Sequence, residues 1–327
     1  LPVVHGGTFL QRAVASAQQL DYRADRYEVI VAGPPGDDGS RRVVEDALAG
    51  AGCEIRYVQS AAPGRAAQLN AACATARGRM LAFSDDDCTF PRDWLSELKQ
   101  AVVANAEAAV IGGTDRPSGE AVFDVALDWV LDSFAGSGGG RDARRHGVTK
   151  YYPRLWNMAL SRSMASMLGA QRGGNPPAVF DETLQVHEDV DVVQRAEALG
   201  GVVRFAPDVC VVHARDTTFW GAVSRNFLMA RAARTLGVHR LAQSFLSLAL
   251  IVALGLGAAA LFVPPLRVAA LALFGLYLMY LMANGVLAFR EKRVPSMFVA
   301  VPVLLAALHA ARAAGYLFPM HVEPRRR

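Results

Sequence analysis

The segment Met80-Leu81-Ala82-Phe83-Ser84-Asp85-Asp86-Asp87 joins a short apolar run to three consecutive carboxylates. An apolar run of this length followed by polar residues is typical of a buried strand that ends in a loop. In open α/β sheets, ligands bind at the carboxyl ends of the strands. The three aspartates are therefore expected at a ligand-binding edge of a sheet.

The sequence on both sides of this segment alternates short β-branched runs with runs whose apolar residues have helical spacing. Such alternation predicts a parallel, doubly wound α/β sheet. The segment Leu1-Pro2-Val3-Val4 resembles the end of a first strand whose beginning is missing. The predicted strands are Tyr27–Ala32, Cys53–Gln59, Met80–Phe83, Ala108–Gly112, Val202–Ala206 and Val209–His213, and the predicted helices are Phe9–Leu20, Arg41–Ala51, Ala66–Ala76, Trp94–Ala104 and Asp189–Leu199.

Composition changes sharply near Arg240. Hydrophobic residues make up 52% of the 327 residues, and charge nearly vanishes beyond this point until the Arg290–Arg293 cluster. We therefore expect a globular domain over residues 1–236 and a membrane domain over residues 237–327. Residues 241–266 and 268–289 each meet the roughly 20 apolar residues that a membrane crossing needs, whereas residues 294–311 are a weaker candidate that could be re-entrant or interfacial.

Charge and cysteine content limit the partners and the compartment. The net charge is +4, and the arginine-rich stretches lack the aromatic interleaving typical of nucleic-acid binding. We therefore expect no nucleic-acid partner. The four cysteines are widely spaced, which predicts reduced thiols facing a cytosol. Arg290, Lys292 and Arg293 are expected on the cytoplasmic side of an inner or plasma membrane, which predicts a multi-pass protein with a cytoplasmic catalytic domain.

Asp85 and Asp87 stand one residue apart at the predicted strand exit, so both carboxylates can reach one ion. Mg²⁺ and Mn²⁺ take oxygen ligands, and a nucleotide diphosphate supplies further oxygens. Such an ion neutralises the charge that develops on a diphosphate leaving group. The alternative interpretation is a solvated acidic turn.

Three further residues are candidates for the same chemistry. Arg65, before a predicted helix, can pair with phosphate oxygens in a bidentate manner or be an ordinary surface arginine. Asp189, at the start of a helix, can be a general base or a residue that favours the helix dipole. Burial and a neighbouring carboxylate can raise its normally low pKa. His213, at the end of a strand, is a candidate metal ligand or a structural histidine.

Taken together, these segments resemble family 2 glycosyltransferases with the GT-A fold, a nucleotide-diphospho-sugar transferase fold. The resemblance covers roughly Leu1 to Leu236 and depends on the order and spacing of its segments. These are Leu1–Leu20 with Tyr27–Val31, Gly64–Asn70, Leu81–Asp87, Asn157-Met158-Ala159, His187-Glu188-Asp189 and Pro207–His213.

The resemblance implies an inverting transfer of a sugar from a nucleotide-diphosphate donor to an acceptor hydroxyl. It implies a divalent metal, Mg²⁺ or Mn²⁺, and Asp189 as the catalytic base. The implied metal ligands are Asp85, Asp87 and His213; the implied donor contacts are Arg65, Asn70, Asp85, Asp86 and Asp38; and the implied acceptor-side residues are Glu188 and Asn157.

One feature departs from the family pattern. The family usually places an aspartate directly after the second strand to hold the nucleotide base. Here Ala32-Gly33 occupies that position, and acids appear only at Asp37 and Asp38.

A narrower resemblance concerns the acceptor. The apolar tail and Asp132–Gly138 are similar to succinoglycan-type exopolysaccharide glycosyltransferases, which implies a lipid-linked or saccharide acceptor and contact with membrane lipid. The Gln-x-x-Arg-Trp signature of processive synthases is absent, and Ser224-Arg225-Asn226-Phe227 stands in that region. This favours the addition of a single sugar.

Two alternatives stay open from the sequence. A nucleotidyltransferase on a similar fold needs a glycine-rich, arginine-containing loop after the first strand, and His5-Gly6-Gly7-Thr8 is a poor substitute. A non-catalytic membrane component of a polysaccharide assembly is motivated by the altered Gly33–Asp38 loop. Catalysis that depends on Asp189 would exclude the second alternative.

Overall fold

The computed structural model describes residues 1–48, 52–138, 151–173, 177–215, 217–235 and 241–318. The chain divides into two compact units. The first unit consists of Leu1–Ser118 and Thr149–Asp216, and the second of Gly119–Val148 and Thr217–Arg327. This division differs from the boundary expected at residue 236, because residues 119–148 and 217–236 group with the C-terminal helices.

The strands and helices follow the chain in this order. The strands are β1 (Glu28–Gly33), β2 (Glu54–Gln59), β3 (Met80–Phe83), β4 (Cys88–Thr89), β5 (Ala108–Pro117), β6 (Met158–Ser161) and β7 (Val202–His213). The helices are α1 (Gly7–Gln18), α2 (Asp38–Leu48), α3 (Arg65–Thr75), α4 (Trp94–Ala104), α5 (Val122–Asp132), α6 (Phe134–Ser137), α7 (Arg162–Arg172), α8 (Glu188–Ala198), α9 (Phe219–Thr235), α10 (Leu241–Phe262), α11 (Leu266–Lys292) and α12 (Met297–Leu317).

The first unit contains two sheets. β1 and β2 pair in parallel, and the N-terminal segment lies along the other side of β1 through a parallel bridge between Pro2 and Ala32. The second sheet has the order β3-β6-β5-β7-β4 and is mixed. β5 and β7 are parallel, whereas β3–β6, β5–β6 and β4–β7 are antiparallel.

The α/β class predicted from the sequence is confirmed, but the prediction of an entirely parallel sheet is wrong. The antiparallel pairs all involve β4 or β6, two short strands that the apolar pattern did not reveal. The sequence also predicted two strands between Val202 and His213. The structure has one continuous strand there, because β7 pairs with β5 along most of its length across register shifts.

In the core of the first unit, α1 packs against both sheets. Leu10 and Val14 recur at the four-residue spacing that places side chains on one helix face, and both are buried. They belong to the same hydrophobic cluster as Val31 of β1, Ile55 of β2 and Ile111 of β5. This packing fixes the strand ends from which the polar residues emerge.

The second unit is helical. Its core is formed by one face of α12, with Val301, Leu304, Leu305 and Leu308 all buried, against α5 residues such as Val130. α11 and α12 are long and apolar enough to cross a membrane by length and composition. The sequence made residues 294–311 the weaker candidate for a membrane crossing. In the described part of the chain this segment is nevertheless one of the two helices long and apolar enough to cross, because α12 continues from Met297 to Leu317 despite Pro302.

Buried polar groups tie together several helices of this unit. His309 lies 2.9 Å from the carbonyl oxygen of Ala135 and 3.1 Å from the hydroxyl of Tyr277. Arg312 donates to the carbonyl of Gly136 and to the side chain of Asn226. Polar side chains inside a helical unit of this kind are costly unless they are paired.

Candidate functional site

Asp85, Asp86 and Asp87 follow β3 directly, as the sequence predicted, but each carboxylate has different partners. The Nη2 atom of Arg65, the first residue of α3, lies 2.6 Å from Oδ1 of Asp85. Burial alone would lower the pKa of the Arg65 guanidinium, but the nearby carboxylates raise it. Asp85, Glu188, Asp189 and Asp87 all contribute, so Arg65 lies among four carboxylates.

Asp86 holds the N-terminal segment through one of its two carboxylate oxygens. Its Oδ2 accepts backbone hydrogen bonds from Val4, His5 and Gly6 at 2.7–3.0 Å. The residue is fully buried, and its Oδ1 makes no hydrogen bond within the described part of the chain. Oδ2 of Asp86 therefore shapes the loop before α1, and the donor contact expected of this residue stays a prediction.

Asp87 is part of a buried chain of charged groups. Its Oδ1 lies 3.2 Å from Nε2 of His213, and Nδ1 of the same ring lies 3.1 Å from Oδ2 of Asp115. Arg215 donates from Nη2 to that Asp115 oxygen at 2.7 Å. Burial would raise the pKa of Asp87, but His213 and His5 hold it below its ordinary value. Burial would lower the pKa of His213, but Asp115 and Asp87 raise it.

The residues around Asp87 fit a divalent cation. Among the described residues, two sets of three ligand atoms lie within 4.8 Å of one another: Asp87, Cys88 and His213, and His5, Asp86 and Asp87. In the second set, Oδ1 of the buried Asp86 has no hydrogen-bond partner among the described residues, so a bound cation would offset the cost of burying this oxygen. Carboxylate and imidazole donors together suit a divalent cation.

The predicted ligand set is therefore only partly brought together. Asp87 and His213 lie side by side, but Asp85 belongs to neither set of ligand atoms among the described residues. The reason is its ion pair with Arg65, which directs the carboxylate toward the start of α3.

The N-terminus of α8 supplies two buried carboxylates, Glu188 and Asp189. Burial raises the pKa of Glu188 above its ordinary value. Burial would do the same for Asp189, but Arg154, whose Nε lies 3.2 Å from Oδ2 of Asp189, lowers the pKa of Asp189 together with His187 and Arg65. The expectation that the environment would raise the pKa of Asp189 is thus wrong, because it did not include Arg154.

Asn70 and Asn157 have structural partners that differ from their expected ligand contacts. Asn70 donates to the carbonyl of Phe180 and the carboxylate of Glu182 and accepts from the Phe180 amide. Asn157 donates to the carbonyls of Thr114 and Val209 and accepts from the indole nitrogen of Trp94. Each amide therefore holds the surrounding loops, and the ligand contacts expected of Asn70 and Asn157 stay predictions.

A cavity of about 400 Å³ lies between the N-terminal segment and the Gly33–Asp38 loop. His5 and Gly6 line one side, and Pro34, Asp37 and Ser40 line the other. Asp38, the predicted donor contact, is exposed as the first residue of α2 and does not line this cavity. The acid that faces the cavity is Asp37, whose Oδ1 accepts the amide hydrogen of Ser40.

Comparison with known proteins gives a family match over the first part of the chain. Residues 1–162 match the family model described as glycosyl transferase family 2. The matched part is similar to glycosyl transferase family 2 and includes Arg65, Asp85 and Asp87, whereas Asp189 and His213 lie beyond it.

Two similar proteins extend the comparison. It is 27% identical over 250 residues to a pre-mycofactocin glycosyltransferase of Mycobacterium tuberculosis, a match over 73% of this chain and 47% of the relative. The chain thus spans about half the length of the curated relatives that it matches. It is also similar in fold to the mannosyltransferase PcManGT from Pyrobaculum calidifontis in complex with GDP-Man and Mn²⁺. That match has a TM-score of 0.65 and 20% identity, and it covers 97% of this chain and 85% of the other.

Four residues of this site were not identified from the sequence: His5, Asp115, Arg154 and Arg215. Asp115 lies near the end of β5, beyond the predicted strand end at Gly112, and reaches His213 because β5 and β7 run in parallel. Arg215 follows the Pro207–His213 segment by two residues and has a left-handed backbone with a φ of 51°. A longer β5 in the prediction would have placed Asp115 beside His213.

Proposed function

We propose that the chain is a metal-dependent, inverting glycosyltransferase that moves a sugar from a nucleotide diphosphate to an acceptor hydroxyl. The observation that carries this proposal is that Arg65 pairs with Asp85, two residues before Asp87, whose carboxylate lies in both candidate metal sets. A guanidinium beside a candidate divalent-cation site is suited to a substrate that brings phosphate groups.

For the donor, Arg65 is the phosphate contact. Its guanidinium is held by Asp85 in this structure, and a diphosphate would compete for the same donors. The cavity beside Asp37 is the proposed base pocket, in place of the aspartate that the family usually has after the second strand. GDP-mannose, which the similar mannosyltransferase binds, is one donor to test first.

For the metal, Asp87 and His213 are the proposed ligands, and His5 and Asp86 face the same position from the N-terminal segment. When bound, a divalent cation would neutralise charge on the diphosphate leaving group. Asp115 orients the His213 ring so that Nε2 faces Asp87. This arrangement of carboxylate and metal-binding histidine fixes the ring and increases its basicity.

For the transfer, Asp189 is the proposed base and Glu188 lies beside it on the acceptor side. The lowered pKa keeps Asp189 ionised at neutral pH, which a base requires before proton transfer. Arg154 holds Asp189 in place and must shift or share its contact when an acceptor hydroxyl approaches. Catalysis in this proposal depends on orientation and charge more than on a strongly basic group.

For the acceptor, we propose a lipid-linked saccharide at an inner or plasma membrane, extended by one sugar in cell-surface or exopolysaccharide synthesis. The apolar helices α11 and α12 support a membrane location with more than one crossing. The basic residues Arg290 and Lys292, in the last turn of α11, support a cytoplasmic position for that end of the helix.

The test uses detergent-solubilised full chain with a panel of nucleotide sugars, in Mn²⁺ and in EDTA. We expect metal-dependent turnover of one donor. Asp189→Asn should abolish transfer and leave metal-dependent nucleotide binding intact, whereas the exposed control Asp208→Asn should retain both. Transfer at the wild-type rate by Asp189→Asn would exclude Asp189 as the base. Binding without turnover by the wild type would favour the non-catalytic alternative.

A further inference from the structure

Cys88 lies directly opposite His213 in the antiparallel pair of β4 and β7. Side chains that face each other across two strands lie on the same side of the sheet. The Sγ atom of Cys88 is 3.8 Å from Oδ1 of Asp87, and Nε2 of His213 is 3.2 Å from that same oxygen. All three residues are buried, with Cys88 at 0% exposure.

The three side chains have the spacing of a tetrahedral metal site. Their ligand atoms all lie within 4.8 Å of one another. A tetrahedral zinc ion with ligand distances of about 2.0–2.3 Å separates neighbouring ligand atoms by roughly 3.5 Å. Small side-chain movements would therefore bring sulfur, nitrogen and oxygen onto one ion.

Asp87 belongs to both sets of ligand atoms, and the two sets differ in the chemistry of their other ligands. Its Oδ2 faces His5 at 3.8 Å, in the set that also contains Asp86, and this set offers carboxylates and one imidazole. Its Oδ1 faces His213 and Cys88, and this set adds sulfur. Thiolate selects Zn²⁺ and softer ions, whereas carboxylate suits Mn²⁺ and Mg²⁺.

We propose that Asp87, Cys88 and His213 form a binding site for a thiophilic divalent cation, Zn²⁺ or Cd²⁺, whose occupancy inhibits the enzyme. The inhibition rests on the proposed function, because it requires that Asp87 and His213 serve the catalytic cation. A thiophilic ion that holds both residues through Cys88 removes them from the donor's metal. Zinc is thus a competitor of Mn²⁺ at this site rather than a substitute for it.

The ligand set is tested directly with Co²⁺, which reports a coordinated thiolate by a charge-transfer band in the near ultraviolet. The full chain in detergent is titrated with Co²⁺ alone, without donor or acceptor. We expect the band in the wild type and in Cys210→Ser, a control at a second free cysteine on β7. We expect no band in Cys88→Ser. Cys88→Ala serves the same purpose if the serine variant does not fold.

Two results of the titration would overturn the site. One is Co²⁺ binding to the wild type, measured by calorimetry, without a thiolate band. The other is a band of unchanged strength in Cys88→Ser or Cys88→Ala. Neither result depends on transferase activity, so a failure of the proposed function leaves this test intact.

Inhibition is measured on Mn²⁺-dependent transfer, with each variant normalised to its own rate without Zn²⁺. Groups that only orient a metal ligand are worth about 10–100-fold in affinity, so loss of the thiolate ligand should cost at least about tenfold. We expect Cys88→Ser to need at least about tenfold more Zn²⁺ for half-inhibition, and Cys210→Ser to match the wild type. Equal sensitivity of Cys88→Ser and the wild type would show that Zn²⁺ inhibits elsewhere.

Discussion

At the residue scale, Asp115 decides how His213 is presented. The side chain of Asp115 is buried and stands between the imidazole of His213 and the guanidinium of Arg215. Because its Oδ2 holds Nδ1 of the ring, Nε2 is the nitrogen that faces Asp87. The carboxylate therefore acts on the proposed metal through another residue, without being a ligand.

Replacing Asp115 tests this positioning role. We expect Asp115→Asn to weaken Mn²⁺ binding by about 10–100-fold, because the amide no longer accepts strongly from the ring and the guanidinium together. Calorimetric titration with Mn²⁺ in the absence of donor measures the effect, and a thermal melt verifies folding. The exposed Asp93→Asn is the matched control. Unchanged Mn²⁺ affinity in a folded Asp115→Asn protein would remove the residue from the metal site.

Also at the residue scale, Arg154 lowers the pKa of Asp189. Asp189 must be ionised to accept a proton, so transfer is lost as pH falls through its pKa. The pKa is lowered in this structure, with Arg154 the largest opposing influence to burial. Arg154→Gln should raise the pKa of Asp189, and the acid limb of the transfer rate should move to higher pH.

The measurement is the pH dependence of transfer at saturating donor. Arg92→Gln, a change at an exposed arginine, should leave the acid limb in place. An acid limb at the same pH in Arg154→Gln and the wild type would show that another group controls it. The candidate would then be Glu188, whose pKa burial already raises.

Sequence patterns predicted which residues gather at this site but not their partners. Asp87 and His213 were paired correctly from their positions at strand ends, since the carboxyl ends of strands meet at one edge. Asp85 was expected at the metal because two carboxylates one residue apart at a strand exit can both reach one ion. Only the folded chain shows that Arg65 holds Asp85, and that backbone amides of residues 4–6 take Asp86.

At the element scale, a single carboxylate holds residues 4–6 of the N-terminal segment. Asp86 accepts three backbone amides from Val4, His5 and Gly6, so it fixes the loop that lines the cavity and carries His5. Three consecutive amides converging on one carboxylate oxygen resemble the nests that bind anions elsewhere. Here the anion is part of the protein.

Removing that carboxylate should loosen the segment. Asp86→Ala leaves three amides without an acceptor, and we expect the free energy of unfolding to fall by at least about 1–3 kcal/mol. Denaturant unfolding in detergent measures the change. Asp46→Ala, on the exposed side of α2, should stay within about 0.5 kcal/mol of the wild type. Equal stability of Asp86→Ala and the wild type would mean that the segment is held by its contacts to β1 alone.

Elements with strong periodicity could be predicted, and short strands could not. α4 was predicted with its observed bounds because its apolar residues repeat at helical spacing. β4 has two residues and β6 has four, which is too short for alternation to show. Their direction comes from pairing with β7, β3 and β5, which is information that local sequence does not hold.

At the scale of the whole molecule, the two units have different surfaces. In α11 only 6% of the most apolar window is buried within the protein, so its leucines and methionines need another covering. Exposed apolar area of this extent marks a membrane or protein contact. The α12 window is 56% buried and contributes to the core of its own unit. The two helices have the same mean hydropathy in these windows, so hydropathy does not distinguish the exposed α11 from the largely buried α12.

The final prediction concerns insertion of α11 into a bilayer. Met279 lies in the middle of this helix and is 64% exposed. An arginine at the centre of a spanning helix costs about 2.5–3.5 kcal/mol of insertion free energy, so Met279→Arg should reduce the fraction of chains that insert α11. A reporter site placed after α11 and read in microsomes measures this fraction directly. Met167→Arg, at a methionine of α7 that is 45% exposed, is the matched control, because α7 belongs to the first unit and needs no lipid. If Met279→Arg inserted as efficiently as Met167→Arg, α11 would be covered by protein rather than by lipid, and the proposed membrane location would rest on α12 alone.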